Sequence, residues 1–114
     1  MKKIATAFFV LLFVLTASAQ KHIFSLSPDN FLLDGKPFQI ISGEMHPARI
    51  PHEYWRHRIQ MAKAMGCNTI AVYVFWNYQE ISPNNFDFTS TNHNIAEFIK
   101  ICKEENMWVL LRPG

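Results

Sequence analysis

The sequence predicts an α/β fold built on a parallel sheet. Short β-rich runs alternate with longer segments whose apolar residues recur at helical spacing, in the order βαβαβ. Two of the runs, Ile70–Trp76 and Met107–Leu111, are continuously apolar, the pattern of strands covered on both faces. The composition is that of a folded domain: 49% hydrophobic, 14% aromatic and 18% charged, too apolar for a disordered tail. Two cysteines are too few for a disulfide scaffold, and four glycines and six prolines exclude collagen-like or linker character.

The chain opens on what reads as a secretory signal peptide over residues 1–19. Met1-Lys2-Lys3 is a positive start, Ile4 to Leu15 is an apolar run too short to span a bilayer, and Ala17-Ser18-Ala19 is an A-x-A cleavage site. Cleavage after Ala19 makes Gln20 the mature N-terminus and the protein secreted or periplasmic. The apolar runs after residue 20 are too short for a membrane span, so no membrane association is expected after cleavage. The chain carries 11 Lys and Arg against 9 Asp and Glu. Lys2 and Lys3 account for the whole excess, so the mature chain is formally neutral and has no basic stripe for a nucleic acid.

Ile23 to Leu33 reads as a small β-element broken at Ser27-Pro28-Asp29-Asn30. Asp34-Gly35 is a hairpin signal between Phe31-Leu32-Leu33 and Pro37–Ile41. That run leads into Ser42-Gly43-Glu44-Met45-His46. Pro51 is expected to open a helix, with Trp55, Ile59, Ala62 and Met65 on one buried face and Gly66 as its stop. A strand follows over Asn68–Trp76, then a loop punctuated by Ser82-Pro83-Asn84-Asn85. Asn94 and Glu97 have capping-box spacing and introduce a helix with Ile95, Phe98, Ile99 and Cys102 buried. Asn106 ends it, and Met107–Leu111 is a third buried strand. Three parallel strands and two helices cannot cover both sheet faces, and the outer strands would be apolar and unpaired. The expectation is therefore the first part of a larger α/β fold.

In βα architectures the chemistry gathers past the C-terminal ends of the strands. Those segments carry Glu44 and His46, then Trp76, Asn77, Tyr78 and Glu80, then Arg112. Carboxylates, an Arg, an Asn and aromatics suit a sugar: rings stack on pyranose faces, while carboxylates and amides bind hydroxyls. Glu44 and Glu80 could form a glycosidase acid/base pair, or each could make structural hydrogen bonds at the rim. Tyr73 faces either the helices, as a core aromatic, or the other side of the sheet. His52 and His57 are five residues apart, some 140° around a helix, so they do not face a common zinc ion. No metal or organic cofactor is implied. Cys67 and Cys102 either pair in an oxidising compartment or stay as two buried thiols.

These motifs resemble glycoside hydrolase family 35, the β-galactosidases. Leu33-Asp34-Gly35-Lys36-Pro37-Phe38, Ser42-Gly43-Glu44-Met45-His46 and Arg49-Ile50-Pro51 with Tyr54-Trp55 look like the start of that family. Tyr73-Val74-Phe75-Trp76-Asn77 through Glu80 resembles its second-strand signature, and Leu110-Leu111-Arg112-Pro113-Gly114 the opening of its third-strand motif. The resemblance covers about residues 24–114. It implies a (β/α)8 TIM barrel, of which this chain holds about three of the eight βα units, preceded by a short β-hairpin element. Residues 20–114 would then be part of a catalytic domain that continues beyond Gly114.

The resemblance implies hydrolysis of terminal β-linked galactose with retention, by two glutamates located beyond Gly114. Within this chain it implies Tyr73 as a substrate contact through its hydroxyl, places Asn77 and Glu80 near the pocket without a catalytic role, and leaves Glu44 as a further sugar contact. Arg112 would orient or charge-balance the catalytic carboxylates. The expected partner is a β-galactoside carbohydrate. The 114-residue chain alone should not hydrolyse it. The alternatives are a truncated, non-catalytic sugar-binding remnant and a related barrel glycosidase acting on another β-linked sugar.

Overall fold

The computed structural model of the protein describes residues 21–114. The expected signal peptide lies outside the described residues. The chain divides into two compact units, residues 1–39 and residues 40–114.

The described part of the first unit is an antiparallel meander of β1 (Phe24–Leu26), β2 (Phe31–Leu33) and β3 (Lys36–Pro37), in the order β1-β2-β3. Ser27 makes the first turn, donating its N–H to the Asn30 carbonyl (2.8 Å) and accepting the Asn30 N–H on its hydroxyl (3.0 Å). Asp34 and Gly35 make the second at φ 52° and 76°. Both are positive, as the mirror-image two-residue hairpin turn requires, and the Asp-Gly pair tolerates that. The Asp34 carboxylate accepts the Ile23 N–H (2.9 Å) and lies 2.7 Å from His22 Nδ1. These bonds, the backbone one first, hold its carboxyl below the usual range. The third strand is shorter than the expected Pro37–Ile41. Pro37 has no N–H to extend the ladder, and the Phe38 N–H reaches Phe31 O beyond it (2.8 Å).

The second unit holds β4 (Ser42–Met45), α1 (Trp55–Ala64), β5 (Thr69–Val74), a single helical turn α2 (Trp76–Gln79), the hairpin β6 (Glu80–Ser82) and β7 (Asn85–Phe86), α3 (Ile95–Glu104) and β8 (Trp108–Pro113). Strands β4, β5 and β8 form a parallel sheet in that order, with Glu44, Ala71 and Leu110 at one level and Tyr73 beside Arg112 at another. Side chains alternate across a sheet. Met45, Ile70, Val72 and Val109 therefore point one way, and all four pack into the helix-covered core. Glu44, Ala71, Tyr73, Leu110 and Arg112 point the other way. Both crossover helices contribute to the same core, and each crossover adds its strand in the same direction. The sheet is thus singly wound, with both helices on one face among the described residues.

The core consists of Trp55, Ile59 and Ala62 from α1, Ile70 and Val72 from β5, Phe98, Ile101 and Cys102 from α3, and Met107. Burying each of the larger side chains contributes about 1.5–3 kcal/mol. Trp55 and Phe98 meet edge to face at 5.2 Å. On the outer surface Arg56 bridges α1 to Glu104 (2.5 Å) and Glu105 (2.6 Å) at the end of α3. These pairs are partly exposed and act as a clasp rather than a main source of stability.

The structure departs from the expected elements at several places. Pro51 does not open the helix. Its ψ of 134° is extended, a 3-10 turn over His52–Tyr54 follows, and α1 begins at Trp55. Met65 lies just past the end of α1 and is 81% exposed, so it leaves the expected stripe; Gly66 (φ 94°) does end the helix. The second strand stops at Val74, because Trp76 starts a helical turn. The loop around Ser82–Asn85 is the tip of a hairpin, with Asn84 at φ 59°. Asn94 caps α3 by accepting the Glu97 N–H (3.0 Å). The Glu97 carboxylate lies nearer Lys100 (3.8 Å), while the Asn94 N–H bonds to Thr91 O. Ile101 joins the buried stripe. Strand β8 is largely exposed rather than buried, because among the described residues β5 is its neighbour on one side only.

These positions predict opposite responses to truncation. In the full-length protein Phe98→Ala should cost about 3–5 kcal/mol through the cavity it leaves. Met65→Ala should change stability by no more than about 0.5 kcal/mol. Thermal unfolding of the two variants against the parent measures both.

Candidate functional site

The exposed sheet face ends in a cluster assembled from all three parallel strands. After β4 the chain makes a 3-10 turn over Pro47–Arg49, with the Arg49 N–H bonded to His46 O (2.9 Å). This turn is held from two directions. The Trp55 indole N–H donates to Ile50 O (2.9 Å) and Pro47 O (3.3 Å), and the Asn92 side-chain amide donates to the same two carbonyls at the same distances. The core thereby fixes the backbone that carries His46 and Arg49.

Glu44, at the end of β4, accepts from His46 Nε2 (2.8 Å) and from an Arg112 guanidinium N–H (3.5 Å) on the same oxygen. The His46 bond holds the Glu44 carboxyl below its usual value, and the Arg112 charge adds to it. The Arg112 guanidinium also stands over the Tyr73 ring, 5.3 Å from its centroid, within cation–π range. On its other contacts Tyr73 meets Phe75 (4.8 Å between ring centroids), which is met edge-on by His46 (5.0 Å) and covered by the Arg49 guanidinium (5.2 Å). Glu44, Met45, His46, Arg49 and Ile50 line a shallow depression of about 400 Å³. The strand ends thus gather aromatic rings, two guanidiniums, an imidazole and one carboxylate beside this open depression. The polar members of that set can hydrogen-bond the hydroxyls of a sugar.

Gly114 closes the tip of the cluster. Its N–H reaches Val74 O (3.2 Å), and a Cβ at this position would come within 2.7 Å of that carbonyl and 3.1 Å of the Tyr73 hydroxyl. A side chain here would displace one or the other.

The structure brings Glu44, His46, Tyr73 and Arg112 into one set of contacts and gives others of the expected residues contacts of their own. Tyr73 lies on the face away from the helices, beside Glu44 and Arg112, so it is not a core aromatic. Glu80 belongs to the hairpin, where its carboxylate accepts the Asn84 N–H (2.8 Å), while Glu44 is engaged by His46 and Arg112. Asn77 is exposed on α2. The Tyr78 ring stacks on His93 (4.2 Å), and Trp76 packs on Phe86 (5.2 Å). His52 lies against the Trp55 ring (4.5 Å) and His57 is exposed on α1. Cys67 and Cys102 are both free; burial pushes the Cys102 thiol up to about 12. Arg49 and Phe75 join the cluster, although the sequence motifs that contain them gave neither a site role. Arg49 follows β4 and Phe75 follows β5, so the strand-end rule applied to every residue would have included them.

Residues 30–114 match the family Glycosyl hydrolases family 35. The chain is 45% identical over 91 residues to a β-galactosidase of Xanthomonas manihotis, an alignment covering 80% of this chain and 15% of that protein. It is 40% identical over 99 residues to the β-galactosidase of Macaca fascicularis, covering 85% of this chain and 14% of the relative. A β-1,2-glucosyltransferase of Ignavibacterium album is 40% identical over 87 residues, covering 74% of this chain and 12% of the relative. The chain therefore belongs to glycosyl hydrolase family 35, and it spans about one-seventh of the length of the relatives it matches.

The charge cluster sets a pH response. A carboxylate whose folded value is depressed stabilises the fold above its unfolded value and loses that contribution as pH falls through the folded value. For Glu44 the window therefore lies below 4.5. A carboxyl 13C titration of Glu44 in the full-length protein should give a midpoint under 4.5. His46→Ala should raise that midpoint more than Arg112→Gln does.

Proposed function

We propose that the full-length protein is a secreted or periplasmic glycosidase that removes terminal β-linked galactose with retention. The observation that carries the reading is the family match across residues 30–114, together with β-galactosidase relatives at 45% and 40% identity. The open cluster at the ends of three parallel strands supports it, since that is where barrel enzymes build their sites. In the reading, the strands continue into a (β/α)8 barrel and the two catalytic glutamates lie beyond Gly114. One protonates the glycosidic oxygen while the other attacks the anomeric carbon. Water then releases the covalent glycosyl intermediate, with the first glutamate acting as base. This chain supplies binding. Tyr73 presents its hydroxyl to the galactose, Asn77 and Glu80 lie near the pocket, and Arg112 balances the charge of the carboxylates.

Three outcomes are expected. Tyr73→Phe in the full-length protein should lower kcat/KM for a 4-nitrophenyl β-galactoside by about tenfold or more, the loss of one hydrogen bond to the substrate. Residues 20–114 expressed alone should release no nitrophenol. The protein from its native source should begin at Gln20, as an intact mass or N-terminal sequence would report. Unchanged turnover in Tyr73→Phe, or hydrolysis by the short chain, would count against the reading.

The glucosyltransferase relative at 40% identity favours a second reading, transfer of a glycosyl group to a sugar hydroxyl in place of water. Product analysis separates the two. Full-length protein given β-galactoside and β-glucoside donors, with and without an acceptor sugar, should yield free galactose. A disaccharide formed from the glucoside donor would replace the first reading.

A further inference from the structure

The Glu44–Arg112 pair is half-exposed, and such a pair in isolation contributes little. Here it sits in a chain of contacts that ends at a functional hydroxyl. His46 binds the same Glu44 oxygen at 2.8 Å, so the carboxylate is oriented from its own strand end. His46 in turn packs edge-on against Phe75, which packs against Tyr73. The guanidinium that Glu44 binds is the one standing over the Tyr73 ring. At the far end of that ring lies Gly114, where a Cβ would come within 3.1 Å of the hydroxyl. The phenol ring is contacted by Phe75 and by Arg112. Phe75 is itself bracketed by His46 and Arg49. Arg112 is a long side chain with several rotatable bonds, and Glu44 is the carboxylate that orients it among the described residues.

We infer that Glu44 is a positioning residue acting through Arg112: its carboxylate holds the guanidinium over the Tyr73 ring and so fixes the Tyr73 hydroxyl. The inference rests on the proposed role of Tyr73 as a sugar contact. It differs from the expectation that Glu44 itself touches the sugar, and it starts from the one Glu44 oxygen that accepts from both His46 and Arg112.

A double-mutant cycle in the full-length protein tests this, using 4-nitrophenyl β-galactoside as the probe. Glu44→Gln should lower kcat/KM about tenfold in the parent and by less than about twofold in the Tyr73→Phe background, because its effect passes through the hydroxyl. Thermal unfolding of Glu44→Gln should stay close to the parent. If that variant does not fold, Glu44→Asp, which keeps the charge but draws the carboxylate back from Arg112, carries the same test and should show the same dependence on Tyr73. Equal losses in both backgrounds would overturn the inference, since Glu44 would then act on the sugar directly or elsewhere. So would full activity in Glu44→Gln when Tyr73→Phe is impaired, and this outcome leaves the glycosidase reading standing. A parent protein that cleaves no β-glycoside would instead overturn that reading, and the inference with it.

Discussion

The second unit depends on Trp55. It is fully buried, meets Phe98 edge to face, and sends its indole N–H out of the core to the carbonyls of Pro47 and Ile50. A Trp is suited to this, because it combines a large apolar body with a single directional donor. The same residue therefore joins α1 to α3 and pins the turn that carries His46 and Arg49. Asn92, just ahead of α3, donates to the same carbonyls from the other side. Core packing and site geometry are in this way one problem, solved at one residue.

The sheet divides the labour in the second unit. The alternation of a strand sends Ile70 and Val72 into the helices and Ala71 and Tyr73 to the opposite face. Strand β5 lies between β4 and β8, so residues at the same level on all three strands come together on that face. Glu44, Tyr73 and Arg112 are far apart in sequence, yet the parallel register and strand ends gather them within ion-pair and ring-contact distance. Each helix-side residue is apolar and each member of the cluster is polar or aromatic. A one-residue slip of register would exchange the two faces and bury the charges.

Much of this was legible because local physics governs it. The Asp34-Gly35 turn, the Asn94 cap, the Gly66 and Asn106 helix ends and the apolar run of β5 depend on residues close in sequence. They appear where the sequence places them. The misses share a different cause. Pro51 is a good first helical residue in principle, yet the buried anchor Trp55 and its indole bonds to the preceding turn start α1 later. Met65 has the right spacing for the stripe, but the helix has ended before it. Trp76 continues the apolar run of β5 and is instead the first residue of a helical turn.

The sequence by itself determined the α/β class, the βαβαβ order of the parallel strands and their crossover helices, the family, and the strand-end segments that carry the polar residues. These follow from periodicity, turn chemistry and motifs that short stretches encode. Only the tertiary structure decided which of the polar residues meet. It gave the Glu80 carboxylate to the hairpin turn and the Glu44 carboxylate to His46 and Arg112. It also put Tyr73 on the open face and brought Arg49 and Phe75 into the cluster. The physical reason is that strand register and the direction of each loop are fixed by long-range packing, which a local pattern does not contain.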